Sequence, residues 1–401
     1  MSDQLFAGLK VIDCASFIAA PLAATILSDF GADVIKIEPP GEGDGYRSLH
    51  SRAGQPQVGM DFAWMHGARN KRGVVLDLKS PQGIEVLYRM VEKADVFITN
   101  LPLPVRRRMK LSYDDLIARN PRLIYASFTA YGEKGEEADK TGFDSTAYWA
   151  RSGLMDQVRP DSSSPPARAV AGMGDLPSAM TLYAAITTAL YRRQITGKGG
   201  LVQSSLLANG LWANAFLVQA GLLGGTIPPR LPRAQSQSAT SNMYRTRDDR
   251  WFNLAMVNDV KQFPILAKTL GRPELATDPR FATSDGRRTN VGALMAILDE
   301  LFAQHDLADL RRMMDAAGLT FGFVGTIDEA RTDRQMRDAG AIVPMADGGY
   351  ETVSSPFQVE GASKTTPRGA PSIGQHTDEV LAEYGYSDAD IAAMRAARAI
   401  G

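Results

Sequence analysis

Gly172-Met173-Gly174-Asp175-Leu176-Pro177 stands immediately before a long helical pattern and brings a carboxylate to the start of a helix. Asp is a favoured N-cap and Pro is tolerated in a first helical turn, so plain capping accounts for these residue types. Capping does not exclude chemistry, because a helix start also offers unpaired N–H groups and the positive end of the helix dipole, which favour an ionised carboxylate. Screened from bulk water, such a group is a nucleophile toward an activated carbonyl such as a thioester. The flanking glycines would let a substrate come close to the backbone, and the N–H groups of Gly174 and Asp175 are candidates to hold a developing oxyanion.

Other polar groups carry weaker signals. Arg106-Arg107-Arg108 is a short positive cluster that reads either as a solvated element end or as an anion site. Ser236, Gln237, Ser238 and Thr240 could bind a carboxylate by hydrogen bonds, but their surroundings also have the composition of a solvated linker. His50, His66, His305 and His376 are scattered and read as structural or exposed. Cys14 is the single cysteine, which excludes an internal disulfide and a cysteine-based metal cluster and fits a reducing compartment.

The elements that must position Asp175 follow from hydrophobic period. Strands are expected over 10–13, 34–38, 74–78, 96–99 and 123–128, joined by helical patterns such as 21–30 and the run Ile84, Leu87, Tyr88, Val91 after Ser80-Pro81. This alternation predicts an α/β, doubly wound parallel sheet of Rossmann-like form. The first strand-to-helix turn, CASFIAAPLAAT, lacks the glycines of a dinucleotide site, so NAD and FAD are not expected. A helix is expected over 176–194, closed by Gly197-Lys198-Gly199-Gly200, and then an apolar helix over 201–223 buried by other helices or a second subunit.

The 401 residues predict a large α/β domain over 1–225, a smaller α+β domain over 226–335 and a C-terminal segment, 336–401, returning to the first. In the smaller domain, a strand at Trp251 to Val257 and helices over 260–270, 291–304 and 307–317 are expected. With 44 Lys plus Arg against 45 Asp plus Glu, charge supports neither a nucleic-acid partner nor an anionic membrane surface. No apolar stretch reaches spanning length and no cleavable leader pattern opens the chain, so the expected location is cytoplasmic.

Eight stretches, in order, carry a resemblance to a known family: GLKVIDCASFIAAPLAATILSDFGADVIKIEPPGEGD, NKRGVVLDLKSPQG, ADVFITNLPLPVRRRM, NPRLIYASFTAYGEKG, GMGDLPSA, YRTRDDRWFNLAM, DPRFAT and PSIGQHTDEVLAEYGYSDADI. The chain resembles the class III CoA-transferases, the group of formyl-CoA, carnitine and mesaconyl-CoA transferases that also contains α-methylacyl-CoA racemase. The resemblance implies an interlocked homodimer, transfer of coenzyme A between carboxylic acids, and Asp175 as the nucleophile of aspartyl anhydride and aspartyl-CoA thioester intermediates. It implies acyl-CoA as substrate, with no permanently bound cofactor or metal.

Carried over by motif, the coenzyme A positions are Asn70, Lys71, Arg72, Asn100, Leu101, Arg108, Met109 and Tyr131. Arg suits phosphate as a charge-assisted fork and Lys as a point charge, while Met and Leu suit an adenine seat. Leu101 stands where the family has an aromatic residue. Ile18 replaces the glutamine of formyl-CoA transferase, and PRAQSQSATSNMY replaces its glycine run, which argues against oxalate. A racemase of this family has Gly-His-Asp where this chain has Gly142-Phe143-Asp144, and phenylalanine exchanges no proton. A dicarboxylic or substituted short-chain acid is the expected substrate, with intramolecular transfer on a dicarboxylate such as mesaconyl-CoA as an alternative.

Overall fold

Parallel strands buried on both faces must present apolar side chains to both, and the central strands here do. The computed structural model describes residues 3–401. β1 (Lys10–Asp13), β2 (Asp33–Glu38), β3 (Arg72–Val75), β4 (Val96–Thr99), β5 (Ile124–Thr129) and β6 (Gly200–Ser205) form one sheet in the order β3-β2-β1-β4-β5-β6. All neighbours run parallel. Successive side chains enter different cores: Ile12, Phe97 and Tyr125 join one cluster, while Val11, Val96, Ile98 and Ile124 join another.

Chain order runs outward from β1 on one side and from β4 on the other, so the topology reverses between these two strands. In open sheets of this kind the crevice beyond the carboxyl ends at that reversal is where ligands bind. Helix Ala19–Asp29, which follows β1, packs against helix Asp175–Thr196, which precedes β6.

The expected single apolar helix over 201–223 is corrected. Gly200–Ser205 is a strand, and the helices that follow, Leu206–Ala213 and Ala215–Leu222, meet at Asn214. The outer edge of β5 needs partners for its backbone, and the register from Ile124 beside Gly200 to Thr129 beside Ser205 supplies them. Ser205 then caps the next helix by accepting from the N–H of Ala208.

The chain divides into two compact units, Met1–Val158 with Pro166–Ile227 and Gln335–Gly401, and Arg159–Pro165 with Pro228–Arg334. The first holds the parallel sheet; in it Thr377 Oγ1 accepts from the N–H of Val75, which ties the C-terminal segment to β3. The second has an antiparallel sheet of Ser241–Arg245, Trp251–Ala255 and Phe321–Phe323, with helices around a core of Phe252, Phe263, Leu298 and Phe302. Among the described residues no helix is long and apolar enough to cross a membrane.

Candidate active site

The loops that leave β1 and β4 are fastened to each other at the reversal. Asn100 Oδ1 accepts from the N–H of Ser16 at 2.8 Å, and Asn100 Nδ2 donates to the Ser16 carbonyl at 2.8 Å. Phe17 follows with φ of +63°, a left-handed conformation costing a non-glycine residue about 1–2 kcal/mol. Its N–H is held by Asp44 Oδ1 at 3.1 Å. Burial acts to raise the Asp44 carboxyl, but the Lys36 ammonium at 2.8 Å and the N–H groups of Tyr46 and Phe17 outweigh it and hold it below its usual range. A buried anion thus pins the loop.

Between these loops and the start of helix Asp175–Thr196 lies a cavity of 440 Å³, lined by Phe17, Ile18, Asn100, Leu101, Phe143 and Asp175 among others. Asp175 is the first residue inside the helix; Gly174 is the N-cap and has no side chain of its own to cap this end. Gly172 adopts φ of +80°, and a Cβ on Gly174 would fall 2.7 Å from Tyr148 Cγ, so both glycines are required by backbone and packing.

The pull of the helix end toward the ionised carboxylate is opposed here. Burial, followed by repulsion from Asp144, pushes the Asp175 carboxyl up to about 7. Desolvation and a like charge both disfavour the anion.

Asp144 is the residue that sequence reasoning passed over. It opens a wide π-helical turn, Asp144–Ala150, its Oδ1 accepts from the N–H of Ser145 at 2.6 Å, and its Oδ2 accepts from the N–H of Gly174 at 3.4 Å. It therefore touches the turn that carries Asp175. The one available signal was its place beside Phe143 in a stretch weighed only for proton exchange.

Asn100 and Leu101 line the Asp175 cavity. Tyr131 follows the lining residue Ala130 and is partly buried against one core, whereas Met109 is partly buried against the other and does not line the cavity. Of the arginine cluster, Arg106 is buried and donates to Ser127, Glu133 and the carbonyls of Leu101 and Phe128, and Arg107 pairs with Asp139. Arg108 is exposed, and its guanidinium has no partner among the described residues.

Asn70, Lys71 and Arg72 are not brought to this cavity; they line a different one, of 700 Å³, with Arg368 and His376. Their polar atoms are spent on structure. Asn70 has φ of +64° and bridges Asp29 and the N–H of Arg368. Lys71 Nζ is buried and donates to Asp13 Oδ2 at 2.8 Å and to the Pro21 carbonyl at 2.7 Å. Arg72 is shared by Asp33, Glu379 and Glu383.

None of the four histidines lines the Asp175 cavity, whose only cationic lining residue is Arg52, exposed and with its guanidinium unpaired among the described residues. In the second unit, Ser236 accepts from Asn242 Nδ2 at 2.9 Å and Ser238 from the N–H of Ser241 at 3.0 Å, which are turn-forming bonds.

Residues 6–377 match the model of CoA-transferase family III. The chain is 33% identical over 396 residues to the (R)-2-hydroxy-4-methylpentanoate CoA-transferase of Clostridioides difficile, covering 97% of each chain. It is 32% identical over 401 residues to the succinyl-CoA–D-citramalate CoA-transferase of Chloroflexus aurantiacus, covering 98% of this chain and 97% of that one. The crystal structure of a CAIB/BAIF family protein from Brucella suis superimposes with a TM-score of 0.83 at 30% identity, over 94% of this chain and 98% of that one. A carboxylate at the crevice of a parallel sheet, in a chain matched nearly end to end by acyl-CoA enzymes, marks the protein as a member of the family III CoA-transferases.

Proposed function

We propose that Asp175 is the covalent nucleophile of a transfer of coenzyme A from one carboxylic acid to another. The observation that carries this reading is the Asp175 carboxylate, desolvated and facing the crevice cavity; the cavity's other acidic lining residue, Asp144, repels it, and no cation pairs with it among the described residues. Once ionised, such a group is poorly solvated and therefore reactive.

The Asp175 oxygen attacks the thioester carbonyl of the donor, and collapse of the tetrahedral adduct expels coenzyme A as a thiolate, leaving an acyl-aspartyl anhydride. The thiolate attacks the aspartyl carbonyl of the anhydride and releases the donor acid as its carboxylate. The acceptor carboxylate then attacks the aspartyl-CoA thioester, forming a second anhydride and expelling thiolate, which attacks the acceptor's acyl carbon and frees Asp175. No net proton or electron is consumed. The N–H of Asp175, unpaired among the described residues, supports a role in holding the oxyanions.

Asn100, Leu101 and Tyr131 are the proposed seat of the coenzyme A arm beside the cavity, with Met109 as a further apolar contact and Arg108 as the phosphate partner; Asn70, Lys71 and Arg72 are left out of it. Arg52 is placed to draw incoming carboxylates toward the mouth. Trp212 and Phe216, 82% and 90% exposed, form an apolar surface that supports a homodimer, which light scattering of the purified chain would read as a doubled mass.

The decisive experiment quenches the enzyme with acyl-CoA, digests it, and weighs the peptide that contains Asp175. Coenzyme A mass on that peptide is expected, and hydroxylamine should convert it to a hydroxamate. Asp175→Ala should carry no adduct and lose at least about a thousandfold in turnover while staying folded. An adduct on another residue, or turnover near wild type, sinks the assignment.

A further inference from the structure

Phe17 and Phe143 face each other across the wall of the Asp175 cavity. Their ring centroids are 6.3 Å apart at 82°, an edge-to-face pair. Both remain exposed in part, Phe17 by 37% and Phe143 by 64%, so apolar surface is held open beside the nucleophile.

Several independent features hold the Phe17 ring there. Its backbone keeps a left-handed conformation that favours glycine, with Asp44 on its own N–H and Asn100 on the preceding residue. Gly45 clears the space the ring occupies, since a Cβ at that position would stand 3.2 Å from Phe17 Cζ. The chain spends conformational strain and a buried charge to place one aromatic ring.

We propose that Phe17 and Phe143 are the acyl clamp of this enzyme, and that it selects flat, apolar acyl groups of the aryl or conjugated-enoyl class over those that carry a second carboxylate. The proposal rests on the reading of Asp175 as the acyl-accepting group. An acyl group standing on Asp175 projects into the cavity that the two rings border, where a planar apolar chain can lie against an aromatic face or edge. A distal carboxylate would meet the apolar ring surface and the like charge of Asp144, which also lines the cavity, unless a cation met it. Arg52, the only cationic residue in the lining, is exposed and so does not offer a buried partner.

The test uses the purified full-length enzyme with acetyl-CoA as donor, and cinnamate, succinate and carbon-13-labelled acetate as acceptors, with kcat/KM read by mass spectrometry of the acyl-CoA products. Wild type is expected to favour cinnamate over succinate by at least about tenfold, and Phe17→Gly, which keeps the positive φ without strain, to reduce that ratio by about tenfold. Because the ratio is the readout, any loss common to both acids cancels. Phe143→Ala should act in the same direction and provides the second variant. Equal use of the two acids by wild type, or an unchanged ratio in both variants, overturns the clamp while exchange into labelled acetate leaves the transfer reading standing. Absence of exchange with all three acids overturns the transfer reading and the clamp with it.

Discussion

Asp13 and Asp175 are both acidic side chains close to the carboxyl ends of one parallel sheet, and they are treated in opposite ways. Asp13 is fully buried between Lys71 at 2.8 Å and Lys36 at 3.9 Å. Burial pulls the Lys71 ammonium below its usual value although Asp13 opposes it, whereas for Lys36 the attraction of Asp13 and Asp44 outweighs burial and raises it. Asp175 has no such partner; the charge that acts on it is another carboxylate, Asp144. Paired buried charge shapes the site, and unpaired buried charge is left for chemistry. The difference explains how Lys71, which reads as a ligand contact in the sequence, comes to be held by Asp13 and the Pro21 carbonyl.

Removing one partner of the framework pair should give the largest effect. Lys71→Met keeps the volume and strands the Asp13 carboxylate, so the free energy of urea unfolding is expected to fall by about 3 kcal/mol, the lower end for a broken buried pair because Lys36 remains nearby. Coenzyme A affinity of the folded variant should change less than about twofold. A variant of wild-type stability with much weakened coenzyme A binding would reverse the comparison and return Lys71 to the binding site.

The Asp175 side of the comparison is read by pH. Activity should climb about tenfold per unit below pH 7 and level off above it, because the attacking form is the carboxylate and its carboxyl titrates near 7. The folded chain binds this proton more tightly than the unfolded chain, whose carboxyl titrates near about 3.9. The associated stability is therefore complete below about pH 4 and disappears as the pH rises through 7. Asp175→Asn, which cannot ionise, should match wild type at pH 4 and exceed it by about 2 kcal/mol at pH 8, a figure halved for solvent entering through the cavity. If wild type gains stability relative to the variant on going from pH 4 to 8, Asp175 has a cation partner and the contrast with Asp13 fails.

The sheet was legible because its strands are β-branched runs that alternate with helical periods, and five of the strands form where that pattern lies. β6 was not, because Leu201 to Ser205 joins a longer apolar run whose period suits a helix, and only the open edge of β5 decides otherwise. Asp175 stood out through its glycines and the helix behind it. The raising of its carboxyl did not, since it comes from burial and from Asp144, 31 residues away in sequence, and neither is local. Asn70 to Arg72 looked like ligand residues by type; their partners, from Asp13 to Glu383, are scattered through the chain and no local pattern announces them.

The smallest effect separates two neighbouring arginines. Arg107 is bound by Asp139 with contacts of 2.8 and 2.7 Å, whereas Arg108 has its guanidinium free among the described residues. A charge-assisted fork to a phosphate strengthens binding by about tenfold, so Arg108→Gln should raise the Kd for coenzyme A by about that factor, measured by calorimetry, and the penalty should shrink as salt is added. Arg107→Gln should leave Kd within about twofold, because its fork is already occupied at an exposed site where such a pair contributes little to stability. Should Arg107 prove the more sensitive of the two, phosphate must displace Asp139, and partner-free charge would no longer be the mark of a ligand contact on this face.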